Sequence, residues 1–124
     1  MKTIVTKDSP APIGPYSQAT VSGNFVFVSG QVGKNAVSGA MIQDTIKNET
    51  REVMNNVKAV LEAAGSNLSK VVKTTIFLTN MDDFGQVNEV YGSFFTANFP
   101  ARETVQVTRL PLNANVEISV IAEL

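Results

Sequence analysis

Val71-Val72-Lys73-Thr74-Thr75-Ile76-Phe77-Leu78-Thr79 is the stretch whose reading decides the fold. Most of it is β-branched or aromatic, residue types that sit poorly on helices and pack well on a pleated surface, so it reads as a strand. Val72, Ile76 and Leu78 fall on one side and Val71 and Phe77 on the other, more apolar surface than a water-facing strand carries. One face should therefore meet helices and the other a second subunit.

Helices flank this strand on both sides in sequence. Between about Asp44 and Ala64, the apolar residues Ile46, Val53, Val57, Val60, Leu61 and Ala64 recur at helical spacing. Lys47, Glu49, Arg51, Glu52, Lys58 and Glu62 are read as largely elsewhere on that helix, and Gly65 stands where a terminating glycine belongs. Downstream, Asp82 or a neighbour caps a second helix carrying Phe84, Val87, Val90, Tyr91, Phe94 and Phe95, which Pro100 closes.

Further out come strands. Thr3 to Thr6 reads as a short edge strand, then Gln18 to Val21 and Phe25 to Gly30 as a hairpin turning at Ser22 to Asn24. Gly33 and Gly39 mark the following segment as a loop. Thr104 to Arg109 and Val116 to Ala122 alternate apolar and polar residues around Pro111 and read as a second hairpin. The order ββ, α, β, α, ββ predicts an α+β fold: one domain over residues 1–124, with both helices on one face of a mixed sheet.

Composition excludes most enzyme classes. The 124 residues contain no histidine and no cysteine. Ser-His-Asp catalysis, imidazole proton shuttles, thiolate chemistry and the usual zinc sites are thereby removed, and no other metal constellation stands out. Acid/base work would fall to Asp, Glu, Lys, Tyr or bound water. The net charge is -1 and the ten Lys and Arg are scattered singly, which argues against a nucleic-acid partner. With no basic segment leading an apolar one and no apolar run of membrane length, a soluble, cytoplasmic protein is expected.

Strand periodicity places Val105 and Val107 with Val116, Ile118 and Val120 on the helix-covered face, and Arg102, Thr104, Gln106, Glu117 and Ser119 on the other. An arginine and a glutamate facing another subunit are either an interface ion pair or a small-molecule site, since a buried charge must be paired or used. In such a hairpin Glu117 opposes Thr108 and stands roughly 20 Å from Arg102. One chain then cannot close both around a small substrate, whereas neighbouring subunits can. Gly14-Pro15-Tyr16-Ser17 is a turn in which Tyr16 either packs or offers its hydroxyl to a site. Gly30 either ends a strand or lets a ligand approach the backbone. Asn88 either orients a site residue or is solvated.

Read together, Ile13-Gly14-Pro15-Tyr16-Ser17-Gln18-Ala19, Phe27-Val28-Ser29-Gly30-Gln31, Val72 to Leu78, Val87-Asn88-Glu89-Val90-Tyr91 and Phe99-Pro100-Ala101-Arg102 resemble the RidA/YjgF family, in that family's order and over nearly the whole chain. The resemblance implies a chorismate-mutase-like fold, a homotrimer with clefts between subunits, and cofactor-free hydrolysis of enamines and imines such as 2-aminoacrylate and 2-iminobutanoate to 2-keto acids and ammonia. It makes Arg102 the carboxylate clamp and Glu117 the residue that positions or activates water. Tyr16, Ser29 and Gly30 match positions lining the cleft, and Asn88 a position beside it. Thr104 stands where many relatives have cysteine, Ser119 where many have a second carboxylate, and the 33–39 loop lacks their usual proline. The rival readings are a module that senses 2-keto acids in the same cleft without turnover and, disfavoured by the charge pattern, a ribonuclease.

Overall fold

In the computed structural model, which describes all 124 residues, Thr45 opens the long helix α1 (Ile46–Ala63) by accepting the Asn48 N–H on its hydroxyl. Val53, Val57, Val60 and Leu61 on α1 are fully buried. Gly65 follows the end of the helix at φ +84°, a left-handed conformation open to glycine without strain. The remaining elements are β1 (Lys2–Ile4), β2 (Ala19–Ser22), β3 (Phe25–Gln31), β4 (Val71–Leu78), α2 (Phe84–Ser93), β5 (Ala101–Gln106) and β6 (Val116–Glu123). A single 3-10 turn, Met81–Asp83, leads into α2 and is capped by Asn80.

The six strands form one mixed sheet in the order β1-β2-β3-β6-β4-β5. β4 and β5 are parallel, as their connection through α2 requires, and every other pair is antiparallel. Both helices cover one face: Val53, Val57 and Val60 from α1 and Val87 and Tyr91 from α2 join Val26, Val28, Ile76, Ile118 and Val120 in one core cluster.

Two expectations about the strands are corrected. β5 and β6 do not form a hairpin, because β4 lies between them. Alternation of apolar residues reveals which side chains share a face but not which strand is the neighbour. β5 also runs earlier in the chain than predicted and in the opposite phase. Arg102 and Thr104 align with the buried Thr74 and Ile76 on the helix-covered face, while Val105 aligns with Phe77 on the open face. Within β4, the register slips between Val71 and Lys73, so Val71 enters the core and Val72 is left 37% exposed instead of joining Ile76 and Leu78.

The open face keeps the apolar character foreseen for it. Phe27 sits beside Ile121, and Phe77 lies between Glu117 and Val105. Phe25, Phe27 and Val105 each leave about 40% of their surface exposed, and nothing in the chain covers this face.

Candidate functional site: two half-sites on one chain

The first half-site forms where β3 breaks step with β6. The ladder runs from Val28–Val120 to Gln31–Ile118, so Ser29 and Gly30 together oppose the single residue Ser119. This bulge brings Gly30 against the side chain of Glu117, so closely that a β-carbon at position 30 would stand 2.7 Å from the Glu117 Cδ. A side chain at this position would thus displace Glu117. Glu117 accepts no hydrogen bond and meets no cation within the chain. Burial alone raises its pKa above the usual glutamate range.

A cleft of about 470 Å³ opens over this carboxylate, lined among others by Ile13, Tyr16, Ser29, Gly30, Lys34 and Glu117. Its outer wall is the irregular Thr6–Ser17 segment, which buried polar groups hold in place. The Gln18 side-chain amide donates to the carbonyls of Thr6, Ser9 and Pro10 and its oxygen accepts the Thr6 N–H. Ser9 donates to Gln31, and the Ser29 hydroxyl donates to the Ser17 carbonyl at 2.6 Å. The opposite rim includes Leu112, held at φ 59°, a left-handed conformation costly for a branched side chain.

Away from the cleft lining, Glu49 on α1 is a fully buried carboxylate. Its two oxygens accept the backbone N–H and the side-chain amide of Asn115, both at 2.8 Å. Gly33 packs on its side chain so tightly that a β-carbon there would lie 2.9 Å from the Glu49 Cγ. One carboxylate thereby ties down the strand two residues before Glu117 and the loop three residues after Gly30.

The second half-site is on the other face of the sheet, at the β5 edge. Arg102 projects under α2 with its guanidinium carbon 5.1 Å from the Tyr91 ring centre and 5.6 Å from that of Phe84. Tyr91 donates its hydroxyl to Thr74 at 2.9 Å. Burial raises the phenol pKa, opposed by the Thr74 hydrogen bond and the Arg102 charge, so the ring stays neutral. A shallow cavity of about 310 Å³ opens here, lined by Asn88, Tyr91, Gly92, Phe99, Pro100 and Arg102. Arg102 makes no ion pair and no side-chain hydrogen bond in the chain.

The structure thus gathers Tyr16, Ser29, Gly30 and Glu117 into one cleft and Asn88 and Arg102 into another. The expectation that Arg102 and Glu117 share a face is overturned. Their separation also differs from the hairpin estimate, since Glu117 aligns with Phe77 and, through it, Val105, three residues beyond Arg102. Two strand spacings and three residues give roughly 14 Å between backbones, with the side chains on opposite sides. Glu49, Asn115, Gln18 and Gln31 were missed as supports. Glu49 was legible in principle: it stands four residues before Val53 and eight before Val57, on the buried stripe rather than the polar one.

The family model described as Endoribonuclease L-PSP matches residues 6–124. A 2-iminobutanoate/2-iminopropanoate deaminase from Dermatophagoides farinae is 48% identical over 97% of this chain and 94% of its own. Among solved structures, the YjgF gene product of E. coli is 43% identical with a TM-score of 0.95, covering 99% of this chain and 98% of that one. E. coli TdcF with bound serine is 38% identical with a TM-score of 0.96, covering 100% of this chain and 99% of its own.

Proposed function

The chain belongs to the YjgF/RidA family, and on that premise we propose that it is a cofactor-free deaminase of small enamines and imines derived from amino acids, such as 2-aminoacrylate and 2-iminobutanoate. The observation that carries the reading is the pair of incomplete half-sites. One presents a desolvated carboxylate without a partner in a cleft, the other a guanidinium without a partner on an aromatic bed. A substrate carboxylate is what the guanidinium lacks, and a water to deprotonate is what Glu117 lacks.

The chemistry asks little of the protein. Arg102 grips the carboxylate in bidentate fashion, each charge-assisted bond contributing about 1.5–3 kcal/mol. Glu117 takes a proton from water as the oxygen adds to the C=N carbon. That proton passes to nitrogen to give a carbinolamine, and the hydroxyl proton then follows it to nitrogen as the C=O bond forms and the C–N bond breaks, releasing ammonia and a 2-keto acid. The Gly30 N–H, at the bulge beside Glu117, serves as a donor to substrate or water. Tyr16 and Ser29 shape the cleft. Imines hydrolyse unaided, so orientation and modest electrostatics suffice, and no histidine is needed.

The same reading calls for a homotrimer of chorismate-mutase-like subunits, in which the Arg102 edge of one subunit closes the Glu117 cleft of the next. The apolar open face supports this, because a monomer leaves it bare. The name of the mite relative supports the activity. A second reading, ligand sensing without turnover, draws on the relative crystallised with serine. Ammonia release from freshly generated 2-iminobutanoate separates them. Turnover by the wild type that Arg102→Ala abolishes supports the enzyme; binding of 2-ketobutanoate without ammonia above the uncatalysed rate supports the sensor.

A further inference from the structure

The guanidinium of Arg102 is held in an unusual way. An arginine at a strand edge is ordinarily fixed by a carboxylate, which satisfies its N–H donors and neutralises its charge. Here no acidic side chain pairs with Arg102, and two aromatic rings take the role instead. Both lie within the distance at which a cation is attracted to the ring quadrupole. A ring restrains a guanidinium through its π-system and makes no use of the N–H edge. All five donors therefore remain free for a ligand.

The ring nearer the charge is itself locked. Tyr91 is 4% exposed and its hydroxyl is tied to Thr74. Thr74 is the residue of β4 in register with Arg102 on β5. Strand pairing, hydrogen bond and aromatic contact thus close a ring of three links: Arg102 to Tyr91, Tyr91 to Thr74, Thr74 back to Arg102 through the sheet. Phe84, 39% exposed at the start of α2, adds the second aromatic contact from outside.

We infer that Tyr91, Thr74 and Phe84 are positioning residues that seat Arg102 on an aromatic platform and hold its N–H edge toward an incoming carboxylate. The inference rests on Arg102 as the carboxylate clamp and adds how it is aimed. Preorganisation of this kind belongs to binding, so its loss is expected in KM and ligand affinity and not in kcat.

The test uses the assembled full-length protein with 2-ketobutanoate as the binding probe and 2-iminobutanoate as substrate. Phe84→Leu removes one exposed ring, and Thr74→Val removes the hydroxyl partner while keeping the side-chain shape. Each is expected to raise the 2-ketobutanoate Kd and the imine KM about three- to tenfold with kcat within about twofold, a range set by the strength of exposed to partly buried cation–π contacts. In an Arg102→Ala background Phe84→Leu should add nothing, since the two act as one unit. An unchanged Kd in both variants, or an equal loss from Phe84→Leu with and without Arg102, overturns the seat. Wild-type binding with no turnover, weakened in these variants, removes the deaminase reading and leaves the seat standing. A wild type that neither binds nor turns over overturns both.

Discussion

Glu117 combines two properties that pull on each other, a half-buried carboxyl and no donor to stabilise its charge. Its folded-state pKa lies above that of the unfolded chain, so the fold binds the proton more tightly. Below about pH 4 both states are protonated and nothing is lost; as pH rises through the elevated folded pKa the native state carries an increasing desolvation cost. Glu117→Gln is therefore expected to raise the thermal midpoint at pH 8 and to leave it unchanged near pH 4. An equal gain at both values in thermal scans would assign the effect to packing. Activity should move the other way in wild type, falling as acid protonates the base. Gly30→Ala makes a sharper prediction. The new methyl meets only the end of a flexible side chain, so the fold should persist while Glu117 is pushed aside. A displacement near 1 Å is worth up to about 100-fold in kcat. Circular dichroism alongside turnover checks both halves.

At the level of elements, α1 is joined through Glu49 to Asn115 ahead of β6 and to Gly33 after β3. Glu49→Gln keeps the shape but turns one acceptor into a donor facing the donors of Asn115. The variant is expected to lose about 1–3 kcal/mol in denaturant unfolding, with some loss of turnover because Asn115 is two residues from Glu117. Unaltered stability would mean that the Glu49–Asn115 bonds count for little. The same elements mark the limits of what the sequence makes legible. α1 and β4 were readable because their periodicity is local and strong. The pairing of β5 was not, since a parallel neighbour reached through α2 leaves no mark on the alternation of β5 itself, and the bulge at Val72 inverts a pattern that otherwise looks regular. Arg102, Glu117, Tyr16, Ser29, Gly30 and Asn88 were singled out from the sequence, and each lines one of the two clefts. Their division between two faces of the sheet depends on strand order, which one chain's pattern does not encode.

For the whole molecule, the two clefts on opposite faces bear directly on the proposed assembly, because a contact joining unlike surfaces is heterologous and, where its rotation closes, forms a ring with one site per interface. Phe27→Glu, a charge set into the bare open face, should yield a folded chain that sediments as a smaller species and has lost turnover. A decisive version needs no disruption. Arg102→Ala retains Glu117 and Glu117→Gln retains Arg102, so each homo-oligomer should be inactive. If a site draws its guanidinium and its carboxylate from different subunits, co-refolding the two variants restores some interfaces to wild-type composition. With equal amounts and random assembly, the probability that one side brings Arg102 and the other Glu117 is about one quarter, and so is the expected share of wild-type activity. If both groups served one site within a chain, every site in the mixture would lack one of them and no activity would return. Recovery near one quarter on refolding together, and none when the separately folded variants are simply mixed, would establish that catalysis belongs to the interface and not to the subunit.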